Sequence, residues 1–187
     1  MKCKSTSPKN KEVIERFGLK HTQAAHAFRC NPQSCENPTY YEDYLKYNAF
    51  IDGNNGMGLT FVFCEYENEE LQAVKGFITL KASSLVTMNE EGAVEGFPAM
   101  EISELAVGEE FEGQKIGTAL LYYAVAIAKE VSENYFGIQY ISACADPAAV
   151  GFYEKVLGMT KVRDSFDIPR ERWNVDCVPM LLRIGEY

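Results

Sequence analysis

The sequence has little positive charge, few histidines and no long apolar run. Its 187 residues include 18 Lys and Arg against 27 Asp and Glu, with two His, so the formal net charge is −9 at pH 7. A nucleic-acid partner requires a basic surface, which this balance does not favour. A membrane-spanning helix requires about 20 apolar residues in succession, and no segment of the sequence supplies them. The composition therefore argues against a nucleic-acid partner and predicts no contact with a membrane.

The six cysteines lack the close spacing that metal sites use, and neither His21 nor His26 has a partner visible in the sequence. We therefore predict no metal site. Cys64 and Cys144 lie in apolar strand patterns, where a free thiol behaves as a small hydrophobe. Residues 1–5 carry charge with no apolar stretch behind it, so the sequence predicts no secretory signal and a cytoplasmic location, where thiols stay reduced.

The length and the 47% hydrophobic content fit one globular domain with its own core. We predict a disordered N-terminus at residues 1–9 and a single domain over residues 10–187. Residues 8–17 stay ambiguous, with a helix start at Ser7 and Pro8 as one interpretation.

The first half of the domain alternates between helical and strand patterns. Residues 40–50 have apolar side chains at helical spacing, and a loop is predicted at 52–56. Residues 59–64 and 74–80 are predicted to pair as an antiparallel hairpin across an acidic turn. Residues 88–98, which are rich in Gly and Glu, are predicted to form a long exposed connection.

One segment combines a strand, a glycine loop and a helix. Residues 100–107 form an apolar, strand-like run, residues 112–119 read Glu-Gly-Gln-Lys-Ile-Gly-Thr-Ala, and a helical pattern begins near Gly117. The first N–H groups of a helix have no partner inside it and carry the positive end of the helix dipole, so they suit a phosphate. Glycine lets the backbone approach such a group closely. The segment predicts an anion cradle, followed by a helix with one buried stripe: Leu120, Leu121, Ala124, Val125 and Ala128.

A second strand and helix follow. Residues 140–145 predict a buried strand, and in residues 146–159 we expect Asp146 to cap a helix that begins at Pro147. Residues 178–184 predict a closing strand.

These segments, in this order across residues 100–160, resemble the GNAT superfamily of N-acetyltransferases. Gln114-x-x-Gly117-x-Ala119 resembles the family's acyl-coenzyme-A pyrophosphate loop, and residues 146–159 resemble its N-x-x-A-x-x-F-Y-x-x-x-G-F helix, with Asp146 where the family often has Asn. The resemblance implies a single-domain α/β fold, in which a twisted mixed sheet is flanked by helices. Its central strands splay apart, helped by a bulge near the end of strand 100–107.

The same resemblance implies acetyl-CoA as the co-substrate and no metal. The expected coenzyme-binding residues are Leu105, Ala106, Val107, Gln114, Lys115, Ile116, Gly117, Thr118, Ala119, Asp146, Ala149 and Phe152.

Two residues are predicted to carry the chemistry. By the resemblance, Glu101 matches in position the general base of histone-type members, and Tyr153 is the acid that protonates the leaving thiolate. A carboxylate with a pKa near ~4 would act through water or with its pKa raised by burial. Residues alternate along a strand, which places Glu101 with Ser103 and Leu105 on one side and Glu104, the alternative base, on the other. We expect direct transfer, because no cysteine lies beside a matching histidine in these motifs.

Charge predicts the kind of acceptor. Residues 29–112 carry 16 acids and 4 bases, a balance of −12. An acidic surface attracts cations and repels polyanions. We therefore predict transfer to a primary amine of a small cationic or peptide acceptor, while a homodimer stays open.

Three alternatives stay open. Scattered apolar positions between residues 28 and 85 are similar to a GNAT branch that contains toxins of toxin–antitoxin pairs, which acetylate aminoacyl-tRNA. A non-catalytic acyl-CoA-binding module would keep the same loop. A dinucleotide-binding domain has a similar strand–glycine–helix unit, but its glycine spacing differs and no βαβ repeat follows here.

Overall fold

A mixed sheet of seven strands runs through the part of the chain described by the computed structural model, which comprises residues 10–88, 91–162 and 177–186. The strands are β1 (Asn10–Arg16), β2 (Leu59–Glu67), β3 (Glu70–Met88), β4 (Val94–Val107), β5 (Tyr140–Ala145), β6 (Thr160–Lys161) and β7 (Val178–Arg183). The helices are α1 (Thr22–Ala25), α2 (Pro38–Asp43), α3 (Ala49–Asn55), α4 (Ile116–Asn134) and α5 (Val150–Leu157).

The strand order is β1-β2-β3-β4-β5-β7-β6. Strands β1 to β4 pair antiparallel in sequence order, and β7 pairs antiparallel with both β5 and β6. Only the pair β4–β5 is parallel among the described strands, and α4 makes the crossover between them. This mixed sheet confirms the predicted fold class.

Helices cover both faces of the sheet, each over its own apolar core. On the α4 face, Ile78 and Ile102 pack with the buried stripe of α4 and with Tyr153 and Leu157 of α5. The stripe consists of the five residues that helical spacing predicts, Leu120, Leu121, Ala124, Val125 and Ala128, and all of them are buried. The other face, which we call the N-terminal face, carries a core of residues from α1 to α3 and β2 to β4: Ala25, Phe28, Tyr44, Leu45, Ala49, Val62, Cys64, Phe77 and Ala106.

The predicted helix at residues 40–50 is part of a longer helical segment. A π-helical turn (Tyr44–Asn48) joins α2 to α3, which ends at Gly56 with φ +71°. The predicted loop at 52–56 is therefore wrong. The helix continues through Asp52–Asn55 because its apolar side, with Tyr44, Leu45 and Ala49, is buried in the core. It ends where Gly56 adopts the left-handed conformation.

Two further segments differ from the sequence expectations. The ambiguous residues 8–17 contain strand β1, which pairs with β2 from Asn10↔Glu67 to Arg16↔Phe61. The predicted exposed connection at 88–98 is wrong from Val94 onward, because Val94 begins β4 and pairs with Met88 of β3. Residues 1–9, predicted to be disordered, lie outside the described residues.

An extra residue in β4 coincides with the place where β4 and β5 part. In the β3–β4 ladder Thr79 lies opposite Glu104 and Leu80 lies opposite Ile102, so Ser103 is the additional residue of a β-bulge. The parallel pairing of β4 with β5 ends at Ile102↔Ala143. The predicted splay and bulge are both present, and they open the sheet on the carboxyl side of these two strands.

The structure corrects one cysteine prediction. Cys64 is a buried free thiol, as expected. Cys144, however, is exposed and forms a disulfide with Cys177, with the two Cα atoms 5.5 Å apart. The apolar run of β5 did not bury Cys144 because alternate residues face opposite ways, and Ala143 and Ala145 are the ones in the core. Among the described residues, no helix has both the length and the apolar character needed to cross a membrane.

Candidate active site

A cleft of about 570 Å³ lies where β4 and β5 separate. Its walls come from the end of β4, the loop before α4, the start of α5 and the N-terminal segment around Cys30 and Cys35. Gln114 and Ala119 lie outside the lining, whereas the other predicted coenzyme residues lie on it: Leu105, Ala106, Val107, Lys115, Ile116, Gly117, Thr118, Asp146, Ala149 and Phe152. The fold thus gathers around one cavity residues that are up to 47 positions apart, from Leu105 to Phe152.

The loop before α4 has the backbone shape of an anion cradle. Gly113 and Lys115 adopt the left-handed conformation, with φ +75° and 64°, and α4 begins directly afterwards at Ile116. The first α-helical hydrogen bond runs from the Ala119 N–H to the Lys115 carbonyl, 3.0 Å. The N–H groups of the preceding turn therefore lie at the cleft with the positive end of the helix dipole behind them.

Gly117 is required by packing as well as by the cradle. A Cβ at this position would lie 3.1 Å from Cζ of Phe152 and 3.5 Å from Cγ2 of Val107. The absence of a side chain therefore lets the start of α4 pack against the start of α5 across the cleft wall.

Asp146 caps the turn that precedes α5. Its carboxylate accepts a hydrogen bond from the Ala148 N–H at 2.9 Å, and Pro147 is the first residue of the turn. The predicted cap is confirmed, with a 3₁₀ turn (Pro147–Ala149) between it and α5. The carboxylate also lies on the cleft wall.

Tyr153 lies on the cleft wall, on the α4 face of the sheet. Its side chain is only 7% exposed. Burial raises the pKa of Tyr153 well above its ordinary value, and Tyr41 and Glu104 raise it further. The phenol is therefore protonated at neutral pH and can act as a proton donor.

The bulge overturns the predicted facing of the two glutamates. Ile102 and Leu105 both pack on the α4 face although three positions separate them, because Ser103 is the extra residue. Glu101, opposite Lys81, and Glu104, opposite Thr79, therefore both face the N-terminal side of the sheet. The prediction that they leave opposite sides of the strand is wrong, since simple alternation fails at a bulge.

Glu104 is the more buried of the two carboxylates. It is 7% exposed, and the Tyr40 hydroxyl donates a hydrogen bond to its Oε1 at 2.8 Å. Burial raises the pKa of Glu104; the Tyr40 hydrogen bond and Lys81 counteract this shift, while Glu101 and Asp52 add to it. Glu104 is thus a carboxylate of raised basicity in a group of charged and phenolic side chains.

Several lining residues were missed because they come from the N-terminal segment. Cys30, Asn31, Ser34, Cys35 and Tyr41 all lie on the cleft. The Asn31 amide donates to Oε2 of Glu112 at 3.0 Å, and the Ser34 hydroxyl donates to the same carboxylate, which fixes this segment to the loop before α4. The one signal available was the aromatic pair Tyr40-Tyr41: Tyr40 donates a hydrogen bond to Glu104, and Tyr41 lines the cleft.

A second group of potential ligands lies away from this cleft. Atoms of Glu15, His21 and Cys64 lie within 4.8 Å of one another. Nδ1 of His21 accepts the Gly18 N–H at 2.9 Å, so the neutral ring carries its proton on Nε2, which lies 3.1 Å from Glu15 Oε1. The nitrogen that faces the group therefore has no lone pair to offer, and the contacts are those of a hydrogen-bonded support for the turn after β1.

Solved structures with this fold include three at 16% sequence identity. AtaT complexed with acetyl-methionyl-tRNAfMet has a TM-score of 0.72, over 94% of this chain and 96% of that one. AtaTR bound with AcCoA has a TM-score of 0.67, over 94% of each chain. The KacTA–DNA complex has a TM-score of 0.67, over 94% and 95%. At this identity the likeness shows the fold alone.

No curated protein matches the chain in sequence. Residues 22–159 match the acetyltransferase (GNAT) family, and this span contains the cleft, the loop before α4 and Tyr153. The chain therefore belongs to the acetyltransferase (GNAT) family, and it is an N-acetyltransferase.

Proposed function

We propose that the protein transfers an acetyl group from acetyl-CoA directly to a primary amine of a small cationic or peptide acceptor. One observation carries the proposal. Tyr153 lines the cleft between β4 and β5 from the α4 face. Glu104 lies on the N-terminal face of β4, outside the cleft lining, and its charge contributes to the raised pKa of Tyr153. A proton donor on the cleft wall and a proton acceptor thus lie on opposite sides of β4.

The residues of the cleft fit the coenzyme. The N–H groups at the start of α4 suit its pyrophosphate, and the end of β4, which no longer pairs with β5, leaves main-chain groups along the cleft for the pantetheine amides. Phe152, Ala149 and Leu105 supply apolar wall. Acetyl-CoA, when bound, supplies the acetyl group as a thioester.

Each catalytic side chain has one proton to move. Glu104, with its raised basicity, accepts a proton from the acceptor ammonium, directly or through one water molecule, and so leaves a neutral amine. The Tyr153 hydroxyl donates a proton to the sulfur of the departing thiolate. Glu101, on the same face of β4, is the alternative base.

The charge around Glu104 favours a cationic acceptor. Asp52 and Glu101 raise the pKa of Glu104, and Lys81 lowers it. These side chains belong to the segment 29–112, where acids outnumber bases by 16 to 4. Such a surface raises the local concentration of cations and lowers that of polyanions.

A second candidate acceptor is the amino group of aminoacyl-tRNA. The observation that favours it is the fold shared, over 94% of this chain, with AtaT complexed with acetyl-methionyl-tRNAfMet. The acidic balance of residues 29–112 weighs against it, because tRNA binding gains most of its affinity from Lys and Arg at phosphates.

An acceptor panel separates these functions. With acetyl-CoA, we expect acetylation of polyamines and lysine-containing peptides, with kcat/KM falling as salt rises, because screening is largely complete beyond ~10 Å at 0.1 M. Neutral amines of similar size are the matched control and should react with a weaker salt dependence. Faster acetylation of aminoacyl-tRNA than of every small amine would favour the second candidate, and coenzyme binding without any transfer would favour a non-catalytic module.

The phosphate cradle is tested by Gly117→Asp against Gly117→Ala. Both variants add a Cβ next to Phe152, but only the aspartate places an anion at the cradle. Two like charges ~4 Å apart repel by roughly 1 kcal/mol in bulk water and roughly 4 kcal/mol near a protein surface. We therefore expect acetyl-CoA to bind the Asp variant at least about fivefold more weakly than the Ala variant. Calorimetric titration measures both. Equal affinities of the two variants would show that this loop does not bind the phosphates of the coenzyme.

Tyr153→Phe tests the acid. The ring and its packing remain, so acetyl-CoA affinity should be retained while kcat falls by about 10²–10⁴-fold. Tyr41→Phe is the control from the same cleft: it also removes one hydroxyl group, and we expect it to lower kcat by less than about tenfold. A Tyr153→Phe enzyme with wild-type kcat would exclude Tyr153 as the donor.

The pH–rate profile tests the base. Burial raises the pKa of Glu104, so the rate should fall with decreasing pH through a midpoint above the ordinary glutamate value. Glu104→Gln should lose this step and recover only towards the pKa of the amine, ~10. Tyr40→Phe removes a hydrogen bond that lowers the pKa of Glu104, so the midpoint of the profile should move to higher pH. Glu101→Gln removes a charge that raises the pKa of Glu104, so the midpoint should move to lower pH. If Glu101→Gln alone abolished the step, Glu101 would be the base.

A further inference from the structure

A buried lysine lies beneath the loop that leads from β4 to the cradle. Lys75 of β3 is only 5% exposed. Its Nζ lies 2.8 Å from Oε1 of Glu12 on β1 and 3.2 Å from Oε2 of Glu65 on β2. In the β2–β3 ladder Phe63 lies opposite Gly76 and Cys64 lies opposite Val74, so Lys75 is the extra residue of a second bulge. Three strands thus converge on one ammonium group.

The same lysine contacts the start of the loop in two ways. Its carbonyl accepts the Gly108 N–H at 2.8 Å, directly after the end of β4. Its ammonium lies 5.2 Å from the centroid of the Phe111 ring, and Phe111 lies on the cleft wall. The Phe111 N–H donates to the Gly108 carbonyl at 2.8 Å, and the Phe111 carbonyl accepts the Gln114 N–H at 3.4 Å. Successive contacts therefore connect Lys75 to the residue just before the left-handed Lys115.

Strand packing alone does not account for a cation at this position. Burying an ammonium group removes its hydration, and apolar residues often replace buried ion pairs without loss of stability. A cation over the face of an aromatic ring, by contrast, fixes the position of that ring. A bulge next to a functional site commonly re-aims one side chain, and here the re-aimed side chain meets Phe111.

We propose that Lys75 is a positioning residue for the coenzyme: held by Glu12 and Glu65, it fixes Phe111 and the segment Gly108–Gln114, and so sets the cradle at the start of α4. This inference rests on the proposed function, in which that cradle holds the pyrophosphate. The ligand class is the phosphate-bearing coenzyme itself, and β1 becomes part of the support for its site.

The test is calorimetric titration of acetyl-CoA into the full chain, which needs no acceptor. Lys75→Met keeps the length of the side chain and removes its charge. A cation–π contact contributes about 0.5–1 kcal/mol or more, so we expect affinity to fall by about two- to tenfold, with partial recovery in Lys75→Arg. Lys20→Met is the matched control, because Lys20 also pairs with a glutamate of β1, Glu15, and lies 5.6 Å from the centroid of an aromatic ring, Tyr66. Tyr66, unlike Phe111, does not line the cleft. This control should bind as the wild type does.

A double-mutant cycle separates positioning from a general loss of stability. Phe111→Leu keeps an apolar side chain and removes the ring, so Lys75→Met should add little to the weakening that Phe111→Leu already causes. Thermal unfolding confirms that each variant is folded at the temperature of titration. If Lys75→Met does not fold, Glu12→Gln replaces it, and we expect at least about a twofold weaker affinity because one of two partners is lost.

The outcomes distinguish the two proposals. If folded Lys75→Met binds acetyl-CoA as tightly as the wild type does, the role of Lys75 is overturned and the proposed coenzyme site is not affected. The same holds for Glu12→Gln where that variant is used instead. Full additivity in the cycle would overturn it as well. A wild-type chain that does not bind acetyl-CoA would instead overturn the proposed function.

Discussion

The extra residue at Ser103 is the constraint on which the cleft depends. Because Ser103 has no partner in β3, the residues of β4 on its two sides pair with β3 in different registers. The parallel pairing of β4 with β5 ends at Ile102↔Ala143, directly before Ser103. In a regular ladder the side chains after Ile102 would keep the alternation that they have before it. The extra residue instead turns Glu104 to the face that already carries Glu101, at the point where β4 and β5 part.

The opening brings together polar groups that a closed sheet would keep apart. Tyr153 belongs to a core on the α4 face, and Glu104 belongs to the side covered by α1 to α3. Burial raises the pKa of both groups, and the negative charge of Glu104 raises the pKa of Tyr153 further. In the proposed acyl transfer these shifts are productive: the phenol would keep the proton that a thiolate needs, and the carboxylate would be a stronger base for an ammonium.

Local patterns predicted much of this architecture, and long-range register explains what they missed. The buried stripe of α4, the β5 strand, the Asp146 cap and the loop before α4 each depend on residues close in sequence, so their spacing was sufficient. The facing of Glu104 depends on how β4 aligns with β3, which no pattern within β4 encodes. Tyr40 meets Glu104 from 64 positions away, and Lys75 meets Glu12 from 63. The bounds of α3 were missed because core packing overrode the loop-forming residues between Asp52 and Asn55.

In the proposed function, the acidic side chains near Glu104 couple acceptor choice to proton transfer. Glu101 and Asp52 raise the pKa of Glu104, and the same charges attract a cationic amine. Once such an amine is bound, its positive charge offsets theirs, which lowers the pKa of Glu104 and favours the carboxylate form that must accept the proton. A polyanionic acceptor would act in the opposite sense, because phosphates near the opening would raise that pKa further and keep Glu104 protonated. The fold shared with AtaT complexed with acetyl-methionyl-tRNAfMet says nothing about this effect, because the effect arises from side chains and a likeness at 16% identity shows the fold alone.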